Sequence, residues 1–242
     1  YILLLEFCLI GIFVSIDLFQ YYVFWELALL PLYFMIGIWG HGRKIYSAVK
    51  FFLYTLSGSA MMLAAILYLY SRAGTFDYEV LLAQISSGAL PFTSLEESLL
   101  FWAFFIAFAV KTPLFPVHTW LPDAHVDAPT AGSVDLAALM LKVGTYSMIR
   151  FCLPLFPNAA REFAPWILAI SVIGIIYGAL ISLAQPNIKK LVAYSSVSHM
   201  GVIVAGIFSL TQHGLDGAVY LMLAHGISTG ALFIFVGFLT DR

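Results

Sequence analysis

Eight long apolar stretches, separated by short polar connections, dominate this sequence. They cover residues 1–16, 19–39, 48–70, 99–120, 130–153, 165–183, 191–210 and 217–239. Because a helix needs about 20 apolar residues to cross the hydrocarbon core of a bilayer, each stretch is long enough or nearly long enough to span a membrane. The stretches are rich in Leu, Ala and Met and lack the alternation of membrane β-barrel strands. The sequence therefore predicts an all-α polytopic membrane protein with about eight transmembrane helices.

The composition agrees with a membrane setting and excludes some functions. Apolar residues make up 62% of the chain and charged residues only 10%, whereas soluble domains usually contain about 25% charged residues. The formal charge of −2, without a long basic run, argues against nucleic-acid binding. Cys8 and Cys152 lie far apart in apolar stretches without redox or metal-ligand spacing, so we expect both to pack as small hydrophobic residues.

The fourth apolar stretch contains a lysine followed by two prolines. Lys111 follows the apolar residues 101–110 and precedes Pro113 and Pro116. An interrupted helix is tolerated at membrane depth only inside protein or beside a wet cavity, and an ionisable group there marks a functional site by default. The stretch therefore predicts a discontinuous helix, broken near residues 111–118, that lines an ion or substrate path. The alternative is a structural lysine that caps the carbonyls of the broken helix.

Four further titratable residues lie at a similar depth in their apolar stretches: Glu26, Lys142, His199 and His225. Histidine titrates near neutral pH, and burial brings lysine and glutamate closer to that range because it disfavours their charged forms. Together with Lys111, these residues are candidates for a lateral proton path. The alternatives are a fixed buried ion pair between Glu26 and Lys142, and histidines that only hydrogen-bond neighbouring helices.

Polar residues also cluster after the predicted break, at His118, Asp123, His125 and Asp127. They do not form a closed metal-ligand set, and Asp and His commonly fill loop and cap positions, so we expect no metal site. The sequence has no phosphate loop, dinucleotide fingerprint, nucleophile elbow or cysteine cluster. We therefore expect no catalytic residue and no bound NADH, flavin or iron–sulfur centre in this chain.

Cations are divided unevenly between two sets of loops. The loops after the even-numbered apolar stretches contain Arg43, Lys44, Lys189, Lys190 and Arg242. The other loops combine three arginines with several carboxylates. Because cytoplasmic loops are enriched in lysine and arginine, we expect the first set of loops on the cytoplasmic side.

Several motifs, in a fixed order, resemble those of the antiporter-like subunits of respiratory complex I. They are Phe24-Trp25-Glu26, Ala109-Val110-Lys111-Thr112-Pro113, Trp120-Leu121-Pro122-Asp123-Ala124-His125, Ala128-Pro129-Thr130-Ala131-Gly132-Ser133 and Ser195-Ser196-Val197-Ser198-His199-Met200-Gly201. The resemblance extends through essentially the whole chain. The related cation/proton antiporters and membrane-bound hydrogenases share much of this pattern.

The resemblance implies a fold of two inverted five-helix repeats, each with a broken helix. Residues 1–153 would form the first repeat, with its break near residues 111–118. Residues 165–242 would form the first three helices of a truncated second repeat, and no soluble domain is expected. The second broken helix would lie beyond Arg242, so the chain would be a piece of a longer polypeptide.

The resemblance also implies proton translocation that is driven by quinone reduction in distant subunits. Glu26 would pair with Lys111, Lys142 would pass the proton laterally, and His199 and His225 would continue a central hydrophilic axis. NADH, flavin, iron–sulfur clusters and quinone are expected only in partner subunits, of which neighbouring antiporter-like subunits would contact this chain.

The implied location is a bacterial plasma membrane, or the mitochondrial inner or thylakoid membrane for relatives. Two alternative functions remain open. One is a cation/proton antiporter or membrane-bound hydrogenase subunit of the same fold. The other is a membrane scaffold with buried ion pairs that transports nothing.

Overall fold

The computed structural model describes residues 1–240 and is built from helices joined by short connections. The helices are α1 (Ile2–Val14), α2 (Leu18–Leu27), α3 (Leu29–Trp39), α4 (Lys44–Ala73), α5 (Tyr78–Ser86), α6 (Ser94–Lys111), α7 (Trp120–Asp127), α8 (Thr130–Leu155), α9 (Pro157–Leu183), α10 (Ile188–Phe208) and α11 (Gln212–Thr240). Helix α8 contains two π-helical turns, Leu136–Met140 and Met148–Cys152. Arg242, a predicted loop cation and the end of the predicted second repeat, lies outside the described residues.

Each of the eight apolar stretches is helical, which confirms the predicted all-α membrane fold. Within residues 1–240, six helical runs are long and apolar enough to cross a bilayer: α2 with α3, and α4, α8, α9, α10 and α11. Helix α1 is shorter, and the fourth stretch is divided between α6 and α7. Helix α9 begins at Pro157 rather than at residue 165 and contains Pro165. Proline fits the first turn of a helix, so Pro157 marks the start of α9. The apolar run alone, which begins at residue 165, did not indicate this start.

Short polar side chains set the start of several helices. Asp17 accepts a hydrogen bond from the backbone of Gln20 at the start of α2, at 2.8 Å. Thr93 and Glu96 form a reciprocal capping box at the start of α6. Asn187 accepts from the backbone of Lys190 at the start of α10. Each contact satisfies an N–H group that has no partner within its own helix.

One face of the bundle brings together the α3–α4 loop, the end of α7 and the start of α10. The backbone N–H of His41 donates to the carbonyl of Asp127 at 2.7 Å, and the Ser47 hydroxyl donates to the Asp127 carboxylate at 2.5 Å. The ammonium of Lys189 contacts the Ala128 carbonyl at 3.4 Å. We call this the basic face because it carries Arg43, Lys44, Lys189 and Lys190. The structure thus groups the predicted cytoplasmic loops together, and their orientation in the cell stays a prediction.

The opposite face joins the chain before α2 to the chain before α5. The backbone N–H of Leu18 donates to the carbonyl of Phe76 at 2.9 Å. An ion pair between Arg72 and Glu96, at 2.7 Å, links the end of α4 to the first turn of α6. Helix α4 therefore runs from the basic face to the opposite face.

The helix break lies in the fourth apolar stretch, as the sequence predicts. Helix α6 ends at Lys111, and the chain resumes as a helix at Trp120. The break frees backbone carbonyls that a continuous helix would have used. The backbone N–H of Leu114 donates to the Ala109 carbonyl, and the Trp120 indole N–H donates to the Val110 carbonyl, both at 2.9 Å. Internal partners thus replace the missing helical hydrogen bonds, which makes the break tolerable in an apolar interior.

Glu97 connects α6 to the start of α9. Its carboxylate accepts hydrogen bonds from the backbone N–H of Asn158 at 2.8 Å, that of Ala159 at 3.1 Å and the Asn158 side-chain amide at 3.1 Å. Glu97 is buried. A carboxylate at a helix N-terminus both satisfies orphan donors and complements the helix dipole. Glu97 therefore fixes the position of α9 against the broken helix.

We predict that Glu97→Ala lowers the free energy of unfolding by about 1–3 kcal/mol, because it leaves buried donors without an acceptor. Thermal unfolding of the detergent-solubilised full-length protein, followed by circular dichroism, measures the change. Glu162→Ala, at an exposed position of α9, is the control and should unfold like the parent protein. Equal stability of the Glu97→Ala variant would contradict the capping role.

Candidate functional site

Lys111 occupies the last position of α6, where the helix breaks. Its side chain is only 1% exposed, and its ammonium has no hydrogen-bond partner among residues 1–240. The ammonium lies 4.8 Å from the ring centroid of Trp25. The face of an indole attracts a cation, but it replaces only part of the hydration that burial removes. A charge on Lys111 is therefore weakly compensated by its immediate contacts.

Glu26 follows Trp25 in α2 and lies close enough to Lys111 for their charges to interact. Its Oε1 atom is buried and lacks a hydrogen-bond partner in the described chain. Helix α2 ends at Leu27 because Pro31 has no N–H to donate to the Leu27 carbonyl. Within the described residues, Glu26 and Lys111 do not form a direct ion pair. The two groups are thus neighbours that are not locked together.

Lys142, His225 and His199 lie in a row across α8, α11 and α10, the first two buried and His199 exposed. Lys142 is buried, and its Nζ donates to the Ala137 carbonyl and lies 2.7 Å from His225 Nδ1. The His225 and His199 rings are 5.3 Å apart and nearly perpendicular. The Ala137 carbonyl belongs to the first π-helical turn of α8. Such turns are frequent at functional sites because they disturb the regular backbone hydrogen bonding.

The contact between Lys142 and His225 can hold a proton in two ways. A charged Lys142 donates to the lone pair of neutral His225, whereas a charged His225 donates to the lone pair of neutral Lys142. Both arrangements use the same short contact and differ only in which nitrogen carries the proton. The pair is therefore geometrically suited to pass a proton between α8 and α11.

Glycines allow close contact between the helices that carry these groups. A Cβ at Gly144 would lie 2.2 Å from Thr112 Oγ1 and 2.8 Å from the Phe108 carbonyl oxygen. The segment of α8 that carries Lys142 therefore packs directly on the end of α6 beside Lys111. A Cβ at Gly226 would lie 3.0 Å from the Ala138 carbonyl oxygen. Gly226 thus lets α11 approach Lys142 closely.

His118 and His125, which the sequence suggested as loop or cap residues, are buried in the structure. They are 2% and 0% exposed, and within the described chain neither ring nitrogen of either residue has a hydrogen-bond partner. The His125 ring stacks on Phe233 at 4.4 Å. Buried polar atoms without protein partners are commonly satisfied by internal water. His118 lies within the apolar stretch 99–120, which was the available sequence signal for its burial, whereas His125 follows that stretch and had no such signal.

The described residues contain no group of three or more His, Cys, Asp or Glu side chains that could hold a metal ion. Cys8 and Cys152 are free and buried, as small hydrophobic residues would be. The polar groups that the structure does bring together are hydrogen-bonding and proton-accepting side chains. Their chemistry suits proton transfer rather than bond rearrangement in a substrate.

A family model described as the NADH:quinone oxidoreductase/Mrp antiporter transmembrane family matches residues 15–242. The NADH-quinone oxidoreductase subunit M of Rickettsia prowazekii is 51% identical over 240 residues, which are 99% of this chain and 48% of that protein. The NADH-ubiquinone oxidoreductase chain 4 of Marchantia polymorpha is 49% identical over 97% of this chain and 46% of that protein. The chain thus spans about half the length of the curated relatives it matches.

Solved structures show the same fold. A chain of respiratory complex I from Thermus thermophilus with bound NADH matches with a TM-score of 0.91 and 38% identity, over 98% of this chain and 50% of that one. A chain of the Mrp complex from Dietzia sp. DQ12-45-1b matches with a TM-score of 0.86 and 28% identity, over 97% of this chain and 25% of that one.

We predict that Gly144→Ala destabilises the protein by about 1–3 kcal/mol, because the new methyl group would overlap Thr112 and the backbone of Phe108. Chemical or thermal unfolding of the solubilised full-length protein measures the loss. Gly217→Ala is the matched control, since a Cβ there meets no atom within 4 Å. A Gly144→Ala variant as stable as this control would show that α6 and α8 are not tightly packed at this point.

Proposed function

We propose that this chain, which belongs to the NADH:quinone oxidoreductase/Mrp antiporter family of transmembrane proteins, translocates protons as part of a respiratory NADH-quinone oxidoreductase. The observation that carries the proposal is the contact of buried Lys142 with buried His225, which continues to the exposed ring of His199. The helix that carries Lys142 packs against the end of α6 at the break. The proposed position within the complex is that of subunit M or mitochondrial chain 4, the proteins with which the chain shares about half its residues.

Proton movement would depend on the weak compensation of Lys111. When Glu26 is near, its carboxylate stabilises the ammonium form of Lys111 by charge attraction. When Glu26 is drawn away, the buried ammonium keeps only Trp25 as a favourable contact and is driven to release its proton. The proton would then pass to Lys142, whose helix contacts the end of α6 through Gly144.

The line from Lys142 would carry the proton laterally through the bundle. His225 accepts it at Nδ1, and the perpendicular ring of His199 follows. Internal water would complete the relay where ring nitrogens have no protein partner, as at His225 Nε2. Charge entering this line would act on Glu26 and Lys111 through space, which couples the steps without any redox group in the chain.

The proposed setting is a complex with other membrane subunits, including neighbouring antiporter-like subunits. NADH, flavin, iron–sulfur clusters and quinone would be bound by partners that supply the driving reaction. The complex would lie in a bacterial plasma membrane. Residues 1–153 would act as the first inverted repeat, with Pro113 and Pro116 in its broken helix, and residues 165–242 as the start of the second.

A cation/proton antiporter subunit is the second candidate function. The likeness to a chain of the Mrp complex, with a TM-score of 0.86, favours keeping it. Sodium flux that is driven by a pH gradient in the absence of NADH would support this candidate. A scaffold without transport is the third, and it requires only that the buried charges stabilise assembly.

We predict that Lys111→Ala in the full-length protein abolishes coupled turnover while the complex still assembles. The reason is that alanine cannot hold the proton at the helix break. NADH-driven quinone reduction and acidification of inverted membrane vesicles, each normalised to the amount of assembled complex, measure the effect. Lys44→Ala is the control, because Lys44 is half-buried at the start of α4 on the basic face, away from the helix break, and its ammonium donates to the Ile38 carbonyl at 2.7 Å.

Unchanged pumping by the Lys111→Ala complex would overturn the proposed mechanism. A reduced amount of complex, with normal pumping by the complex that remains, would favour the scaffold. Loss of pumping at normal assembly would leave the proton role in place. Adding sodium gradients to the same vesicles then separates proton pumping from cation/proton exchange.

A further inference from the structure

A second polar line links the basic face to the helix break and uses residues that the proposed lateral path does not. Lys50 of α4 and Asp123 of α7 form an ion pair at 2.7 Å, with both side chains 19% exposed. Four residues further along α4, the Tyr54 hydroxyl lies 2.8 Å from the Thr119 hydroxyl at the start of α7. Residues four apart share one face of a helix. The two contacts are therefore successive polar rungs between α4 and α7.

The second rung leads to His118, the neighbour of Thr119. His118 is only 2% exposed, and neither of its ring nitrogens has a protein partner in the described part of the chain. Its ring packs against Tyr177 at 5.0 Å and against Phe115 at 5.8 Å, so it lies inside the bundle beside the break. Lys50 is close enough for its charge to act on His118. A buried imidazole without partners at the inner end of a polar line needs an explanation.

We propose that Asp123, held in place by Lys50, carries protons between the basic face and His118. This inference rests on the proposed proton-translocating function and assigns its connection to one side of the membrane. The partly exposed ion pair contacts solvent, the hydroxyls of Tyr54 and Thr119 provide the next donors and acceptors, and His118 provides the inner proton acceptor. The lateral path through Lys142, His225 and His199 takes no part in this connection.

The transfer conserves protons and charge. A proton from water at the basic face converts the Asp123 carboxylate to the acid, which weakens its attraction to the Lys50 ammonium. Released inward through the Tyr54 and Thr119 hydroxyls or water, the proton binds a ring nitrogen of His118. Asp123 is then a carboxylate again and re-forms its ion pair with Lys50. The steps run equally in reverse, so the line serves uptake or release.

Several groups face this ion pair and would share its response to charge. Tyr46 lies 5.7 Å from the Lys50 ammonium, measured to the ring centroid. Tyr54 also interacts electrostatically with Lys50, and Tyr194 of α10 interacts with both Lys50 and Asp123. A purely structural role, in which the pair only ties α4 to α7, is the competing explanation. An isosteric change of Asp123 separates the two, because an amide keeps the hydrogen bond and loses the titratable group.

The test uses the full-length protein in its assembled complex in membrane vesicles. Asp123→Asn should lower NADH-driven proton pumping at least about tenfold, since a positioned proton-transfer group contributes about 10²–10⁴-fold to its step. The amount of assembled complex should stay normal, because asparagine still accepts a hydrogen bond from Lys50. Asp123→Glu should restore pumping. Normal pumping by Asp123→Asn, or no recovery with Asp123→Glu at normal assembly, would overturn the proposal.

Glu96→Gln is the matched control. Glu96 forms the other ion pair within residues 1–240, also at 2.7 Å, but with Arg72 near the opposite end of α4. At 1.5 Å per residue, Arg72 lies about 33 Å along the helix from Lys50. This control should pump normally. If it loses pumping as Asp123→Asn does, loss of any ion pair on α4 suffices, and the proposal is overturned.

Two further arms keep the result interpretable. If Asp123→Asn fails to assemble, the double variant Lys50→Gln/Asp123→Asn replaces the ion pair by a neutral hydrogen-bonded pair, and normal pumping by that variant overturns the proposal. Lys111→Ala is assayed in parallel. Loss of pumping with Lys111→Ala alone would overturn this inference and leave the proposed function intact, whereas normal pumping in both variants would overturn both.

Discussion

The hydrogen bond from the Trp120 indole to the Val110 carbonyl is the contact on which the site depends. A broken helix in an apolar bundle leaves backbone groups without their helical hydrogen-bond partners, where water cannot replace them. Each such group costs several kcal/mol when it is left unpaired. Trp120 removes this penalty with a side chain that is itself apolar and buried. The helix can therefore stop at Lys111 and place an ammonium, rather than another turn of backbone, at the centre of the bundle.

Buried charge in this protein follows two patterns. The pairs near the two faces, Lys50 with Asp123 and Arg72 with Glu96, are direct ion pairs with some access to solvent. In the interior, Lys111 faces an indole ring and Lys142 a histidine. An ion-pair partner stabilises the charged form of a group, whereas burial against neutral contacts drives a lysine towards its neutral form. The interior lysines are thus disposed to release a proton, and the pairs at the faces stay charged until a proton from solvent reaches them.

The sequence contained enough information to predict the helices and the break. Charged residues and prolines are conspicuous inside apolar stretches, so Lys111 and Lys142 could be recognised one residue at a time. Pairings could not be predicted in this way. Lys142 meets His225 and Lys50 meets Asp123 only because distant helices pack together, and no local pattern encodes those contacts. The burial of His118 was missed because a histidine near prolines and aspartates is equally typical of a solvated loop, even at the end of an apolar stretch.

The close helix contact at Gly144 has an electrical consequence. A membrane that stores energy as a proton gradient must resist leakage, and water chains conduct protons wherever they cross the hydrocarbon core. The close approach at Gly144 leaves no gap for such a chain between α6 and α8 at this point. Proton transfer past it therefore depends on side chains whose protonation responds to a change in nearby charge.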